Sequence, residues 1–272
     1  MNEDRELDRE ENRKPGRKQE PGSESQAHQP NVNGSQALKH LQSTTPARIG
    51  VGRKGGTRPP TKAMLAFLAD HAEARDAVQS NLSAEFVERF CRQYDCTLVD
   101  SSAGSRQDFV LFPPRGKRLS DAALSGLKAK LKAADVQIVI SDGLSALAVE
   151  ENLPDLYPML LDGFEGLHIS LSSPVMVQWG RVAVADQIAH AAPAKVAINL
   201  IGERPGLSCA KGLSAYITFN PNPATTISSD RTVISNIHDG GTPAIEAGAF
   251  IVKVVQRILK EGVSGVRLQA LG

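Results

Sequence analysis

The chain has 272 residues, enough for one or two domains with a sizeable core, and its 31 Lys and Arg against 30 Asp and Glu give a formal net charge of +1. That balance argues against nucleic acid or an anionic membrane as the main partner. The apolar runs are far shorter than a bilayer span, the N-terminus lacks the apolar core of a signal peptide and the three scattered cysteines make no disulfide framework, so we expect a cytoplasmic protein without transmembrane helices.

The first stretch, residues 1–45, is rich in Glu, Arg, Lys, Gln, Ser and Pro and nearly devoid of large apolar side chains. Such a segment cannot bury enough apolar surface to offset the entropy lost on ordering, so we predict a disordered tail. Residues 46–118 follow as a mainly helical N-terminal domain, in which Thr61 is predicted to cap a first helix and Ser83 a second. Two short β-like segments complete it, Thr97–Val99 and Phe109–Phe112.

From residue 119 to residue 272, helices and short apolar strands alternate. This alternation predicts a Rossmann-like α/β domain with a largely parallel sheet flanked by helices on both faces. The extended segments are predicted at Val136–Ile140, His168–Leu171, Pro174–Gln178, Val196–Ile201 and Ala215–Phe219. The helices are predicted at Asp121–Ala133, Leu144–Gly163, Ala185–Ala191 and Pro243–Lys260.

The loop Gly202–Leu207 is the first candidate for a binding site. It follows directly after the strand Val196–Ile201 and carries Glu203 and Arg204. In open α/β sheets, ligands bind at the carboxyl ends of the strands. A charged pair is also costly to hold at such an edge without a partner.

Two further polar segments have both a functional and a structural interpretation. Ser141–Ser145 opens a helix after a strand, so its backbone amides suit a phosphate-bearing ligand. Alternatively, Ser141 or Asp142 simply caps that helix. The segment Asp230–Pro243 is dense in polar groups interrupted by Val and Ile, which is typical either of a buried hydrogen-bond network or of a ligand wall.

Three other patterns give little evidence for a function. Gly50–Gly55 fits the letters G-x-G-x-x-G, but no strand precedes it and prolines follow it, so a basic turn is favoured over dinucleotide binding. The six histidines lack paired metal-ligand spacing, so no metal site is predicted. Cys209 has no neighbouring His in sequence, which favours an ordinary loop cysteine over a nucleophile.

Several segments together resemble the small (light) subunit of ethanolamine ammonia-lyase, an adenosylcobalamin-dependent enzyme. They are Ala47–Arg53, Val139–Ser145, Gly180–Val182, Gly202–Leu207, Asp230–Pro243 and Ser264–Val266, so the resemblance extends from about residue 47 to the C-terminus. It implies an α/β, Rossmann-like subunit that binds cobalamin at its interface with a separate large subunit. The large subunit would carry the residues that convert ethanolamine to acetaldehyde and ammonia, so no catalytic residue is expected on this chain.

The resemblance also implies which residues touch the cofactor. The family's cobalamin contacts correspond to Val182, Glu203 and Val233 in this chain. At the position of Val233, relatives have Cys. Glu203 is expected to accept hydrogen bonds from the cofactor, and Val182 to pack against its apolar edge. By position alone, Ser141 and Asp142 are expected to line its nucleotide tail. The lack of a D-x-H-x-x-G motif agrees with a cobalamin that keeps its own base.

Two rival functions stay open at this point. One is a stand-alone nucleotide-binding α/β domain, such as a dehydrogenase. The other is a non-catalytic interaction subunit, in which Glu203 would pair internally with an Arg or Lys and face no cavity. Some relatives are packaged in a bacterial microcompartment through an amphipathic N-terminal peptide. The segment Met1–Lys18 has too few apolar residues to form such a face, which favours the free cytoplasm.

Overall fold

A computed structural model of the chain describes residues 34–44, 60–207 and 209–271. Most of the predicted disordered tail lies outside these residues, as do the Gly50–Gly55 turn and the Ala47–Arg53 segment. Within the tail, Gly34–Ser43 form helix α1, which the sequence analysis does not predict. Its Leu38 and Leu41 are three positions apart, a spacing that suits one helix face.

The remaining helices and the strands follow in chain order. The helices are α2 (Thr61–Gln79), α3 (Ala84–Tyr94), α4 (Arg106–Leu111), α5 (Asp121–Lys130), α6 (Ala146–Gly166), α7 (Val184–Ala191), α8 (Ala244–Glu261) and α9 (Val266–Gln269). The strands are β1 (Thr97–Asp100), β2 (Ala134–Ser141), β3 (Val175–Gln178), β4 (Ala194–Gly202), β5 (Leu213–Phe219) and β6 (Arg231–Ile237). In the described parts of the chain, no helix is both long and apolar enough to cross a membrane.

The described strands form one sheet in the order β1-β3-β2-β4-β5-β6. Strands β1, β3, β2 and β4 pair in parallel, whereas β5 and β6 continue the sheet in antiparallel pairs. This confirms the predicted α/β fold with a largely parallel sheet. Strand β1 comes from the stretch assigned to the helical N-terminal part, yet it pairs with β3.

Helices cover the sheet on two faces. Helices α3, α6 and α8 bury one face, where Ile138, Ile198 and Leu200 of the strands meet Leu156 and Ile251. Helices α5 and α7 lie on the other face, over the strand residues that alternate with these. A parallel strand buried on both faces is mostly apolar, which explains the sequences of β2 and β4, where Gln137 and Asn199 are the buried amides.

Of the two caps predicted in the N-terminal part, Ser83 is confirmed and Thr61 is not. The Ser83 hydroxyl accepts a hydrogen bond from the Phe86 amide at 3.3 Å, as expected of a cap. Helix α2 begins at Thr61 itself, one residue earlier than predicted, and Pro60 occupies the capping position.

The prediction of a β-like segment at Phe109–Phe112 is wrong. Arg106–Leu111 form helix α4, and the Ser105 hydroxyl caps it by accepting from the Asp108 amide at 3.1 Å. A short apolar run fits a strand and a buried helix equally well, so periodicity does not distinguish them. The predicted extended segment His168–Leu171 is reduced to an isolated bridge between Leu171 and Val136.

Candidate functional site

The hairpin of β5 and β6 has one apolar face and one polar face. Leu213, Ala215 and Ile217 enter the core on the α6 and α8 side. Side chains alternate along a strand, so Ser214, Tyr216 and Thr218 lie on the opposite side. We call this side the polar face; its members are Ser214, Tyr216 and Thr218 of β5 with Arg231, Val233 and Ser235 of β6. Helix α7 packs mainly on β4 and β2, so among the described residues no helix packs mainly on the polar face.

A cavity of about 440 Å³ opens on the polar face beside the end of β4. We call it the hairpin cavity. It combines side chains from the loop after β4, from both hairpin strands and from the loop after β6. The lining includes Glu203, Arg204, Ser214, Tyr216, Val233 and His238.

Glu203 is half-buried in this cavity and is held by Tyr216. The Tyr216 hydroxyl donates a hydrogen bond to Glu203 Oε1 at 2.8 Å, and the Glu203 amide donates to the Gly212 carbonyl at 2.9 Å. Burial, together with the adjacent carboxylate, raises the pKa of Tyr216 to about 12, so its hydroxyl keeps its proton at neutral pH. In the described chain, Glu203 forms no ion pair with Arg or Lys, contrary to the internal pairing that an interaction subunit predicts.

Val233 lies beside Tyr216. It is the direct partner of Tyr216 in the antiparallel ladder, so the two side chains project from the same side of the sheet. Val233 is 45% exposed, which is high for an apolar side chain in the middle of a strand. The structure therefore brings two of the three predicted cofactor contacts, Glu203 and Val233, to one cavity.

Val182 is placed at the side of the hairpin, in the loop between β3 and α7. Its carbonyl accepts a hydrogen bond from Asn199 Nδ2 at 3.1 Å, and Asn199 Oδ1 accepts from the Ser141 hydroxyl at 2.9 Å. Asn199 is the ladder partner of Tyr216. Val182 does not line the hairpin cavity, but the side-chain amide of Asn199 links the loop of Val182 to strand β4.

Ser214 contributes a fully buried hydroxyl to the wall of the cavity. Ser214 is 0% exposed, and its Oγ has no hydrogen-bond partner among the described residues. A buried hydroxyl without a partner costs free energy, and native structures rarely leave one unsatisfied. Ser214 belongs to the cavity lining, but its hydroxyl is not accessible from the cavity in this structure.

Comparison with known proteins decides the family. The family model described as "Ethanolamine ammonia-lyase light chain" matches residues 35–269. A Clostridium tetani (strain Massachusetts / E88) protein named "Ethanolamine ammonia-lyase small subunit" is 42% identical over 237 residues, which are 87% of this chain and 78% of that protein. The chain belongs to the ethanolamine ammonia-lyase light-chain family. This confirms the resemblance drawn from the sequence, and the match includes every strand and the whole hairpin cavity.

In this light-chain family member, the loop after β4 is fixed to the start of α6. The Leu144 amide donates to the Gly202 carbonyl at 2.9 Å, and the Ser145 hydroxyl donates to the Ala210 carbonyl at 2.6 Å. A Cβ atom on Gly202 would lie 2.0 Å from the Ser145 carbonyl oxygen. The two chain segments therefore touch backbone to backbone, and the loop that carries Glu203 has a rigid base.

The Ser141–Ser145 loop is buried. Asp142 is 1% exposed and forms an ion pair with the buried Arg106 at 2.8 Å. Its other oxygen accepts from the Gly180 amide at 3.2 Å, while Arg106 also donates to the Gly143 carbonyl at 2.7 Å. Burial raises the pKa of Asp142 to about 6, against the opposing attraction of Arg106, so the carboxyl is mostly ionised at pH 7.

This burial corrects two sequence expectations. Ser145, and not Ser141 or Asp142, caps α6, because its hydroxyl accepts from the Ala148 amide at 3.1 Å. Ser141 and Asp142 are at most 1% exposed and already hydrogen-bonded, so they are in no position to line a cofactor. The loop is structural and not ligand-binding, but neither residue that was expected to cap the helix does so.

A second cavity of about 440 Å³ adjoins the hairpin cavity and shares Cys209, Asn236 and His238 with it. His238 Nε2 lies 2.7 Å from Asn236 Oδ1, and His238 Nδ1 accepts from the Gly240 amide at 3.1 Å. Both ring nitrogens are thus occupied, so His238 is no base for Cys209. Over the described residues, no group of three or more His, Cys, Asp or Glu side chains is arranged to hold a metal.

Sequence reasoning missed Tyr216, Ser214 and Asn199. A signal for the first two was present, because polar Ser214, Tyr216 and Thr218 alternate with apolar Leu213, Ala215 and Ile217. Such alternation marks a strand with one polar face. Asn199 gave a weaker signal, as a single amide inside the apolar run of β4.

Proposed function

We propose that this chain is the small subunit of an adenosylcobalamin-dependent ethanolamine ammonia-lyase and that it binds the cobalamin where it meets the catalytic large subunit. Family membership supports the assignment to this lyase. The observation that carries the cofactor part is the hairpin cavity, because it places the Glu203 carboxylate near the exposed Val233 side chain.

The chemistry of the cavity suits a cobalamin. That cofactor has many amide side chains and hydroxyls around an apolar-edged ring, so it needs hydrogen-bond acceptors as well as apolar contacts. Glu203 provides a carboxylate acceptor. Val233 in the cavity and Val182 beside it provide apolar surface. A cobalamin is larger than the hairpin cavity, which supports a site completed by a second subunit.

The role of this chain is to hold and orient the cofactor. The cofactor supplies radical chemistry through homolysis of its cobalt–carbon bond. Glu203 would bind through its carboxylate and act neither as acid nor as base. Abstraction of hydrogen from ethanolamine and release of ammonia would take place among residues of the large subunit.

Exposed apolar side chains on α2 support a partner chain. No residue of α2 is buried, although it carries Met64, Leu65, Phe67 and Leu68, each at least 41% exposed. Several large apolar groups exposed on one helix are typical of a protein–protein interface. We propose that the large subunit covers this helix.

The decisive experiment measures cobalamin affinity of the complex formed by co-expression with the large subunit. Glu203→Ala is expected to raise the dissociation constant about tenfold, because a charge-assisted hydrogen bond is lost. Glu165→Ala, at an exposed position of α6, is the matched control and should leave the constant unchanged. Unchanged affinity in Glu203→Ala would remove Glu203 from the site.

The same preparation separates the rival functions. A stand-alone nucleotide-binding domain would bind NAD without the large subunit. A non-catalytic interaction subunit would join the complex, and its variants would leave cobalamin binding unaffected.

A further inference from the structure

We propose that Tyr216 is a positioning residue for the cofactor: its hydroxyl fixes the Glu203 carboxylate so that one oxygen is committed to Tyr216 and the other is presented to the ligand. The inference rests on the proposed function, since it assigns a second residue to the same site. It concerns a residue that the family resemblance does not supply.

The two residues differ in how firmly the backbone holds them. Tyr216 lies in the middle of β5, paired with Asn199 of β4 on one side and Val233 of β6 on the other. Glu203 lies beyond the end of β4, in a loop, where its amide donates to Gly212. A glutamate side chain has three rotatable bonds, and fixing them costs free energy that a preorganised site has already spent. The 2.8 Å bond from Tyr216 transfers the rigidity of the sheet to that side chain.

The direction of this hydrogen bond determines what Glu203 can bind. Because the Tyr216 hydroxyl retains its proton, it is the donor and Glu203 Oε1 is the acceptor. The second oxygen, Oε2, makes no hydrogen bond within the described chain. An ionised carboxylate only accepts, so the ligand group that meets it must be a donor, such as a primary amide or a ribose hydroxyl.

Val233 bounds Tyr216 on its other side. The two residues are opposite one another in the ladder, where the Cβ atoms of such pairs lie about 4.5–5.5 Å apart. A β-branched residue beside an aromatic ring is a favourable cross-strand pair. Val233 and Tyr216 are thus neighbours on the polar face, and both line the hairpin cavity together with Glu203.

The test is a double-mutant cycle on the complex with the large subunit. The dissociation constant of cyanocobalamin, which lacks the adenosyl group and so reports binding without turnover, is measured by equilibrium dialysis. The four proteins are the unaltered chain, Tyr216→Phe, Glu203→Ala and the double variant. Tyr216→Phe retains the ring and is expected to raise the constant about three- to tenfold. In the Glu203→Ala background, the same change should have no further effect.

Tyr94→Phe is the matched control, because it removes a tyrosine hydroxyl on α3, remote from the lining of the hairpin cavity. It should leave the constant unchanged. An unchanged constant in Tyr216→Phe, with Glu203→Ala still impaired, overturns the positioning role and leaves the proposed function standing. Equal losses in both backgrounds also overturn it, because the hydroxyl would then act independently of Glu203. If the unaltered complex does not bind cyanocobalamin, the proposed function fails together with the inference.

Discussion

Two polar loops at the carboxyl ends of neighbouring parallel strands have opposite roles. The Ser141–Ser145 loop, which follows β2, is buried, and Asp142 forms an ion pair with Arg106. After β4, Glu203 is half-buried, borders a cavity and has a single side-chain partner in the described chain, Tyr216. A polar loop at a strand end is thus available to a ligand only when folding leaves some of its hydrogen-bonding capacity unused. The contrast between the two loops is testable at three positions.

The largest effect is expected in the buried loop. Asp142→Ala leaves the Arg106 charge buried without its partner, so the free energy of unfolding at pH 8 should fall by about 3–5 kcal/mol in urea titration. Lys195→Ala breaks an exposed ion pair, that with Asp135, and should cost less than about 1 kcal/mol. If both variants lost the same free energy of unfolding, buried and exposed ion pairs would contribute equally to the stability of this chain, contrary to the prediction.

An intermediate effect is expected where the two loops touch. Gly202→Ala would place its Cβ 2.0 Å from the Ser145 carbonyl oxygen, and backbone on both sides resists the shift. The free energy of unfolding should fall by about 1–3 kcal/mol, the usual cost of overpacking. Gly212→Ala, at the other end of the same loop, meets no atom within 4 Å and serves as the control. A stable Gly202→Ala protein would show that the loops are not held together at this point.

The smallest effect on stability is expected at Glu203. Its side chain is half-buried, and the Tyr216 hydroxyl left behind is also half-buried, so water can replace the lost partner. Glu203→Ala should change the free energy of unfolding by no more than about 0.5 kcal/mol in the same urea titration. A loss above about 2 kcal/mol would assign Glu203 to the framework of the fold, like Asp142.

Much of the fold was predictable, because the parallel strands have distinctive sequences. Val136–Ile140 and Val196–Ile201 are apolar apart from Gln137 and Asn199, as is typical of strands covered on both faces. The strand prediction at Phe109–Phe112 failed because four apolar residues suit a strand or a helix equally well. The cap at Ser105 favours the helix. Strand β6 was seen only as a polar segment, since only Ile234 and Ile237 of its seven residues are buried.

The site was predictable only in part. The position of Glu203 after a strand was readable along the chain, and Val182 and Val233 came from the resemblance. Tyr216 could not be found this way, because its role depends on β5 being antiparallel to β4, which places it near the end of β4 where Glu203 lies. Pairing direction is a long-range property that local sequence does not encode.

The antiparallel hairpin has a consequence for how such a site can arise. Two parallel strands must be joined by a crossover, and the crossover normally lays a helix across one face of the sheet. Between β4 and β5 the chain turns back instead, and no helix is delivered to that side. The opening on the polar face is therefore a result of chain connectivity. Its lining could have changed in evolution by single substitutions, without the removal of a helix.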